Sequence, residues 1–322
     1  MLLPVSAVIL GFVLLVWGAD RLVMGSSATA RNLGISPLLI GLTIVGFGTS
    51  APEILVSVIA AADGNPGLAI GNALGSNITN VALVLGTTAL ITPLAIQSAV
   101  IRREMPILIM IMVLNLLLMW DQLLSRIDGG ILLIGLALMV GSLIQLGMRS
   151  RSTDPIIAEF DAEIRDDLSI PQSVGWTLFG LVVLLVGARI LVWGAVEMAV
   201  AFGVSDLVIG LTIVALGTSL PELAASVVGA LKGEHDIAVG NIIGSNMFNL
   251  LAVVGFAASI HPLALAPEIL ERDFPMMAAL TLLLAAMGYE FEGHGRVNRV
   301  QGGALVFAYF GYLAILYLGI LR

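Results

Sequence analysis

Two glutamates sit where an apolar chain has no ordinary use for charge. Glu53 closes the segment Gly48-Thr49-Ser50-Ala51-Pro52-Glu53, and Glu222 closes Gly217-Thr218-Ser219-Leu220-Pro221-Glu222, each well inside a long apolar run. A charge at the bilayer centre costs at least about 2.5 kcal/mol on insertion scales. No basic residue stands near either glutamate at comparable depth; Arg21 and Arg189 fall nearer the ends of apolar runs. A bound cation would compensate both. Protonation and a hydrogen bond to a neighbouring helix would explain one such glutamate, but less readily two in matched motifs.

The neighbours of both glutamates are oxygen donors. Thr49, Ser50, Thr218 and Ser219 precede them, and Ser76, Asn80, Ser245 and Asn249 recur one turn apart in two further segments. Pro52 and Pro221 each remove a backbone donor and clash one turn back. A local unwinding around Gly46–Thr49 is therefore expected, with backbone carbonyls released there. Asn72, Asn77, Asn241 and Asn246 are read as caps of broken helices.

This donor set is hard: carboxylates, hydroxyls, amides and carbonyls, with no His, Cys or Met. Ca²⁺ takes about 6–8 oxygens in flexible geometry, whereas Mg²⁺ demands an octahedron and keeps its water. Softer metals want other ligands. The residues favour Ca²⁺ or Na⁺. Two carboxylates balance one Ca²⁺ or two Na⁺, and a third Na⁺ would make an exchange of one for the other electrogenic.

The elements that must position these residues follow from composition. The 322 residues are 59% hydrophobic and 11% charged, with no cysteine and a net charge of −8. Soluble domains run near 45–50% apolar and about 25% charged, so a water-soluble globule is excluded, as are disulfide scaffolds and thiolate catalysis. An acidic chain with one lysine does not suit a nucleic-acid binder. Backbone polar groups in hydrocarbon must be satisfied internally, so spans are helices or closed barrels. Runs such as Ile107–Trp120 are too long and continuous for barrel strands. The expected class is an all-α integral membrane protein, helical throughout, with spans over 3–24, 36–62, 68–92, 105–121, 127–148, 172–198, 205–231, 237–260, 274–289 and 299–321.

The chain repeats itself at an offset of 169. Ile40–Glu53 and Ile209–Glu222 are identical at 11 of 14 positions, and Ala69–Gly86 and Ala238–Gly255 at nine of 18. Residues 1–148 form a first five-helix repeat, 149–171 a polar, acidic linker, and 172–322 a second repeat. Five is odd, so the second half enters the membrane from the opposite side. Such inverted repeats are an architecture of secondary transporters, whose sites lie near the midplane where helices break. Basic residues in the loops and at the span ends, Arg189 left out, divide ten to three between the two sides. By the positive-inside rule, both termini are expected on the non-cytoplasmic side of a cell (inner) membrane.

The paired segments GTSAPE…GNALGSNITN and GTSLPE…GNIIGSNMFN resemble the two alpha-repeats of the cation/calcium exchanger superfamily, and most of all its prokaryotic sodium/calcium exchangers. The resemblance implies a ten-helix antiporter exchanging Na⁺ for Ca²⁺ by alternating access, with Ca²⁺ extrusion driven by Na⁺ entry. It implies Glu53 and Glu222 as central Ca²⁺ ligands, with the carbonyls of Thr49 and Thr218. It implies Na⁺ contacts from Ser50, Ser76, Ser219 and Ser245 and from the carbonyls of Gly46 and Ala215. Asn80 matches an asparagine often found there. Asn249 departs from relatives that carry aspartate, potassium-dependent ones among them. The amide removes a third carboxylate and argues against potassium dependence.

A Ca²⁺/H⁺ antiporter using the same glutamates is the nearest rival, because buried carboxyls can carry protons. The paired hydroxyls favour Na⁺, since proton exchange does not need them. No enzyme is expected: His235, His261 and His294 lie at span ends or in loops, outside any H-E-x-x-H motif. No cofactor and no obligate protein partner are expected beyond the lipid bilayer and the transported ions.

Overall fold

The computed structural model describes residues 2–35, 37–64, 66–96, 103–150, 168–202, 215–288 and 295–320. Most of the interhelix linker and the N-terminal part of the 205–231 span lie outside them. The helices are α1 (Leu2–Leu33), α2 (Pro37–Ile40), α3 (Gly46–Thr49), α4 (Ala51–Ala62), α5 (Pro66–Thr79), α6 (Gly86–Ile91), α7 (Met105–Met119) and α8 (Arg126–Ser150). They continue as α9 (Ile170–Ala201), α10 (Ala215–Thr218), α11 (Leu220–Leu231), α12 (His235–Phe248), α13 (Val254–Ile260), α14 (Phe274–Gly288) and α15 (Arg299–Ile320).

Among the described residues six helices are long and apolar enough to cross a bilayer: Leu2–Leu33, Leu68–Ile91, Arg126–Leu143, Ile170–Met198, His235–Ile260 and Arg299–Leu316. The pair Leu38–Thr49 and Ala51–Ala62, bent by 43°, makes a seventh if taken as one span. α7 and α11 are apolar but shorter. Exposed Leu2, Leu3, Ile9 and Phe12 on α1 and Phe307 and Phe310 on α15 make an apolar exterior that suits lipid.

α1 runs nine residues past the end of the 3–24 expected of it, whereas α9 exceeds 172–198 by two residues at one end and three at the other. At 1.5 Å per residue their 32 residues reach about 48 Å, against a hydrocarbon core of about 30 Å. Hydropathy locates only the apolar part; a helix continues past it while no residue stops it. α1 ends where Gly34 takes φ 61°, the left-handed conformation a glycine adopts without steric cost.

Two small antiparallel pairings lie in the loops between the expected spans. β1 (Leu94–Ile96) pairs with β4 (Gly295–Val297), and β2 (Leu123–Leu124) with β3 (Leu263–Ala264). Prolines explain two of these strands. Thr92 and His261 end α6 and α13 in extended conformation, and each precedes a proline. A residue before proline is pushed out of the helical region, and the chain beyond it is left to pair as a strand.

The chain divides into two compact units, Met1–Pro52 with Ile134–Gly244, and Glu53–Leu133 with Ser245–Arg322. Each draws on both sequence repeats, so the compact units cut the chain differently from the repeat boundary. In the first unit α1 and α9 lie antiparallel at backbone contact. A Cβ on Gly18 would stand 2.5 Å from the Leu184 nitrogen, and one on Gly187 2.6 Å from that of Leu15. Leu15, Ala19, Leu22, Leu184 and Ala188 fill the seam with Ile40, Val45 and Ile237. Lys232 pairs with Asp20 at 2.7 Å, and Glu234 takes Ser27 and Arg31, tying α1 to the turn between α11 and α12. In the second unit α15 packs on α6, where a Cβ on Gly86 would meet the Gly302 carbonyl at 3.0 Å.

Candidate ion-binding site

Both proline motifs break their helices, but one residue later than expected. Gly46–Thr49 stays helical, and the break falls at Ser50 (φ −79°, ψ 2°) and at its repeat mate Ser219 (φ −88°, ψ 2°). Pro52 and Pro221 cannot donate to the carbonyls four residues back, and the following helices restart with those prolines in the first turn, where a missing N–H costs nothing. The Gly46 carbonyl, expected to be released, accepts the Ser50 N–H at 3.1 Å, and the Thr49 hydroxyl approaches the same oxygen at 3.4 Å. Gly48 serves packing, since a Cβ there would lie 2.6 Å from the Leu181 side chain.

In the first unit the two motifs meet. Ser50 Oγ donates to Glu222 Oε1 at 3.2 Å, both residues fully buried. Thr49 Oγ1 donates to Asn241 Oδ1 at 3.0 Å, with the Val45 carbonyl equally close. Asn241 Nδ2 donates to the Glu222 carbonyl at 3.2 Å and to Ser226 Oγ at 3.0 Å. Ser219 is buried, and its hydroxyl has no hydrogen-bond partner among the described residues. Thr218 is half-buried at the end of α10, which begins at Ala215; the Ala215 side chain is outside the description.

In the second unit Glu53 is buried in the first turn of α4. Asn72 on α5 donates to the Glu53 carbonyl at 3.0 Å and to Ser57 Oγ at 2.9 Å. Ser76, Asn80, Ser245 and Asn249 are all buried in this unit. Four asparagines are linked there in an open chain. Asn80 Nδ2 donates to Asn246 Oδ1 at 3.2 Å, and Asn249 Nδ2 donates to Asn77 Oδ1 at 3.1 Å. Asn77 Nδ2 also reaches the Asn246 carbonyl at 3.3 Å. The bonds engage the amide nitrogens of Asn80 and Asn249 and leave their Oδ1 atoms without a donor among the described residues. Buried acceptors without donors are rare in folded proteins.

Asn80 and Asn249 also open two π-helical turns, Asn80–Leu85 and Asn249–Val253. Such turns interrupt the ordinary helical ladder and concentrate at functional sites; apolar periodicity carries no sign of them. The reading of Asn72, Asn77, Asn241 and Asn246 as helix caps is corrected. α5 and α12 run unbroken through these positions, so there is no helix end to cap. The buried amides bond across to neighbouring helices instead. One signal pointed there: Glu–x–x–x–Ser recurs as Glu53/Ser57 and Glu222/Ser226, each with an asparagine 19 residues after the glutamate.

Among the described residues no group of three or more His, Cys, Asp or Glu side chains gathers as a metal cluster. In each unit the donors are a carboxylate and neutral oxygens, the ligand type of hard cations.

The family model described as sodium/calcium exchanger protein matches residues 3–145 and 172–318. The chain belongs to the sodium/calcium exchanger family. This family member is 48% identical over 317 residues to the putative antiporter CaxA of Alkalimonas amylolytica, covering 98% of this chain and 99% of that one. It is 30% identical to the sodium/calcium exchanger MaX1 of Methanosarcina acetivorans, covering 96% and 97% of the two chains. Its fold is similar to that of the sodium-calcium exchanger NCX_Mj soaked with 2.5 mM Na⁺ and 0.1 mM Ca²⁺, with a TM-score of 0.84, 32% identity and 98% of both chains covered. The exchanger-family chain is thus a multi-pass membrane protein of the cation/Ca²⁺ antiporter type, and its matched segments contain both glutamate motifs.

Proposed function

We propose that this chain exchanges Na⁺ for Ca²⁺ by alternating access, with Na⁺ entry driving Ca²⁺ out. The observation that carries the reading is the hydroxyl of Ser50, from the first motif, on the carboxylate of Glu222, from the second, at 3.2 Å. On this reading both motifs serve the same ions. Glu53 and Glu222 supply the charge. The carbonyls of Thr49 and Thr218 complete the Ca²⁺ set, while Ser50, Ser76, Ser219, Ser245 and the carbonyls of Gly46 and Ala215 serve Na⁺. Asn80 and Asn249 offer their Oδ1 atoms to either ion.

Ca²⁺ and Na⁺ compete for the two carboxylates, so only one cargo is carried at a time. With Asn249 neutral, one Ca²⁺ or two Na⁺ balance the site and a third Na⁺ leaves it positive. The reading places ten helices as two inverted five-helix repeats in the inner membrane, both termini non-cytoplasmic. α1 and α9 slide against the remainder as the site changes sides. No resident cofactor and no enzymatic step enter this reading.

Ca²⁺ uptake into proteoliposomes loaded with Na⁺, with and without an outward Na⁺ gradient, tests it. Uptake should need the gradient and vanish in Glu53→Gln and Glu222→Gln. Folded protein that takes up Ca²⁺ only under an imposed pH gradient would replace Na⁺ with H⁺ as the coupling ion.

A further inference from the structure

Each glutamate-bearing helix is gripped by an asparagine that ion ligation does not account for. Asn72 holds the Glu53 carbonyl and Ser57 Oγ, and Ser57 in turn donates to the Ala69 carbonyl at 3.2 Å. Asn241 holds the Glu222 carbonyl and Ser226 Oγ, and Ser226 approaches the Ala238 carbonyl at 3.5 Å. The two clasps superimpose in sequence at the offset of 169. The two serines stand one helical turn beyond their glutamates, so each amide spans that turn and pins its rotation.

Asn241 carries a further contact. Its Oδ1 accepts the Thr49 hydroxyl at 3.0 Å, so one buried amide joins the backbone of Glu222 to the threonine preceding the break at Ser50. Both of its N–H bonds and its acceptor oxygen are committed, in one polarity. The Glu222 carbonyl and the Ser226 oxygen take its two N–H groups, and its oxygen offers the Thr49 hydroxyl an acceptor alongside the Val45 carbonyl, also at 3.0 Å. An amide meets this pattern; an ionised carboxylate of the same shape presents oxygen to oxygen on the Glu222 side.

We propose that Asn241 is a positioning residue for ion binding, setting where Glu222 and Thr49 stand relative to each other, and that Asn72 positions Glu53 in the same way. The proposal rests on the reading of Glu222 and Thr49 as ion ligands. Outer partners of metal ligands govern affinity by about 10–100-fold, through the ligand they hold. Asn241 is therefore expected to set the KM for Ca²⁺ more than the maximal rate.

The test uses the full chain in proteoliposomes, with ⁴⁵Ca²⁺ uptake measured over a range of Ca²⁺ concentrations. Asn241→Ala and the near-isosteric Asn241→Asp should both raise the Ca²⁺ KM by about 10–100-fold, with a smaller change in maximal rate per folded molecule. Thr49→Val removes the hydroxyl and keeps the carbonyl. Its effect on KM should be largely absorbed in the Asn241→Ala background, because the contact is already gone. If Asn241→Asp behaves as wild type, the side chain matters only for its shape and the proposal fails. It also fails if the variants lose thermal stability while the folded fraction keeps its KM. Ser226→Ala, which removes one acceptor and no candidate ligand, gives a raised KM on the proposal and an unchanged one against it, should the Asn241 variants not fold. Glu222→Gln run alongside separates the two readings. If it retains Na⁺-driven uptake, the ligand assignment itself is wrong. If it is inactive while the Asn241 variants keep their KM, only the positioning role is lost.

Discussion

Asn249 donates its amide N–H to Asn77 Oδ1 at 3.1 Å, and that bond fixes which end of the Asn249 amide faces Asn77 and which faces away. A carboxylate at 249 would have no N–H to give. The amide is thus both a charge choice and a hydrogen-bond choice, and the two can be separated. Asn249→Ala leaves a buried acceptor on Asn77 without its donor, at a cost of about 1–3 kcal/mol. Asn77→Ala made together with it should cost less than the sum of the two singly, because bonded neighbours couple by about 0.5–3 kcal/mol. Thermal unfolding of the four proteins checks this; strict additivity would mean that the bond contributes nothing.

Ser50→Ala removes the hydroxyl on Glu222 Oε1. A hydrogen bond to a charged group contributes about 1.5–3 kcal/mol. The Na⁺ concentration for half-maximal exchange should rise on the order of tenfold, that being about 1.4 kcal/mol, with a smaller change in Ca²⁺ affinity. Sodium activation curves for Ser50→Ala that overlay those of wild type would remove Ser50 from the site.

Gly18→Ala and Gly187→Ala should both damage the α1–α9 seam. The added methyl meets backbone nitrogen at 2.5 and 2.6 Å, and backbone cannot swing aside as a side-chain tip can. Overpacking of this kind costs about 1–3 kcal/mol. Gly175→Ala on the same helix α9 finds no atom within 4 Å and is the matched control. Equal melting temperatures across the three variants would contradict the contact.

Glu104 lies one residue ahead of α7. Burial pushes its carboxyl above the ordinary value of 4.5, and Arg103, 3.7 Å away, only partly offsets this. The unfolded chain releases this proton near 4.5, while the folded chain holds it to higher pH. The stabilisation this provides is complete below 4.5 and is lost as pH rises through the folded value. Glu104→Gln should therefore unfold at a higher temperature than wild type above that window, and lose the advantage below pH 4.5. A difference in melting temperature that does not vary with pH would show that Glu104 does not titrate as described.

The apolar framework was legible because hydrocarbon leaves few choices: long apolar runs such as Leu2–Leu33 and Arg126–Leu143 had to be helices. The glutamate motifs were legible because Pro52 and Pro221 advertise a break and because an offset of 169 shows each twice. What stayed hidden depends on partners distant in the chain. Asn241 looks the same in sequence whether it caps its own helix or reaches to Glu222, and only the continuity of α12 decides between them. The π turns at Asn80 and Asn249 alter backbone pairing without altering the apolar pattern. The short strands were hidden too, since Leu94–Ile96 acquires a partner only at Gly295–Val297.

The seam between α1 and α9 has a symmetry written in its contacts. Gly11 meets Leu191 and Gly180 meets Leu22; Gly18 meets Leu184 and Gly187 meets Leu15; Gly25 meets Thr177 and Gly194 meets Val8. Adding 169 to one member of each contact and subtracting it from the other converts the first pairing of each couple into the second. That is the signature of an isologous interface, in which one surface meets its own copy across a twofold axis. The seam thus carries the sequence repeat in three dimensions: each glycine contact on one helix has its mate, 169 residues away, on the other.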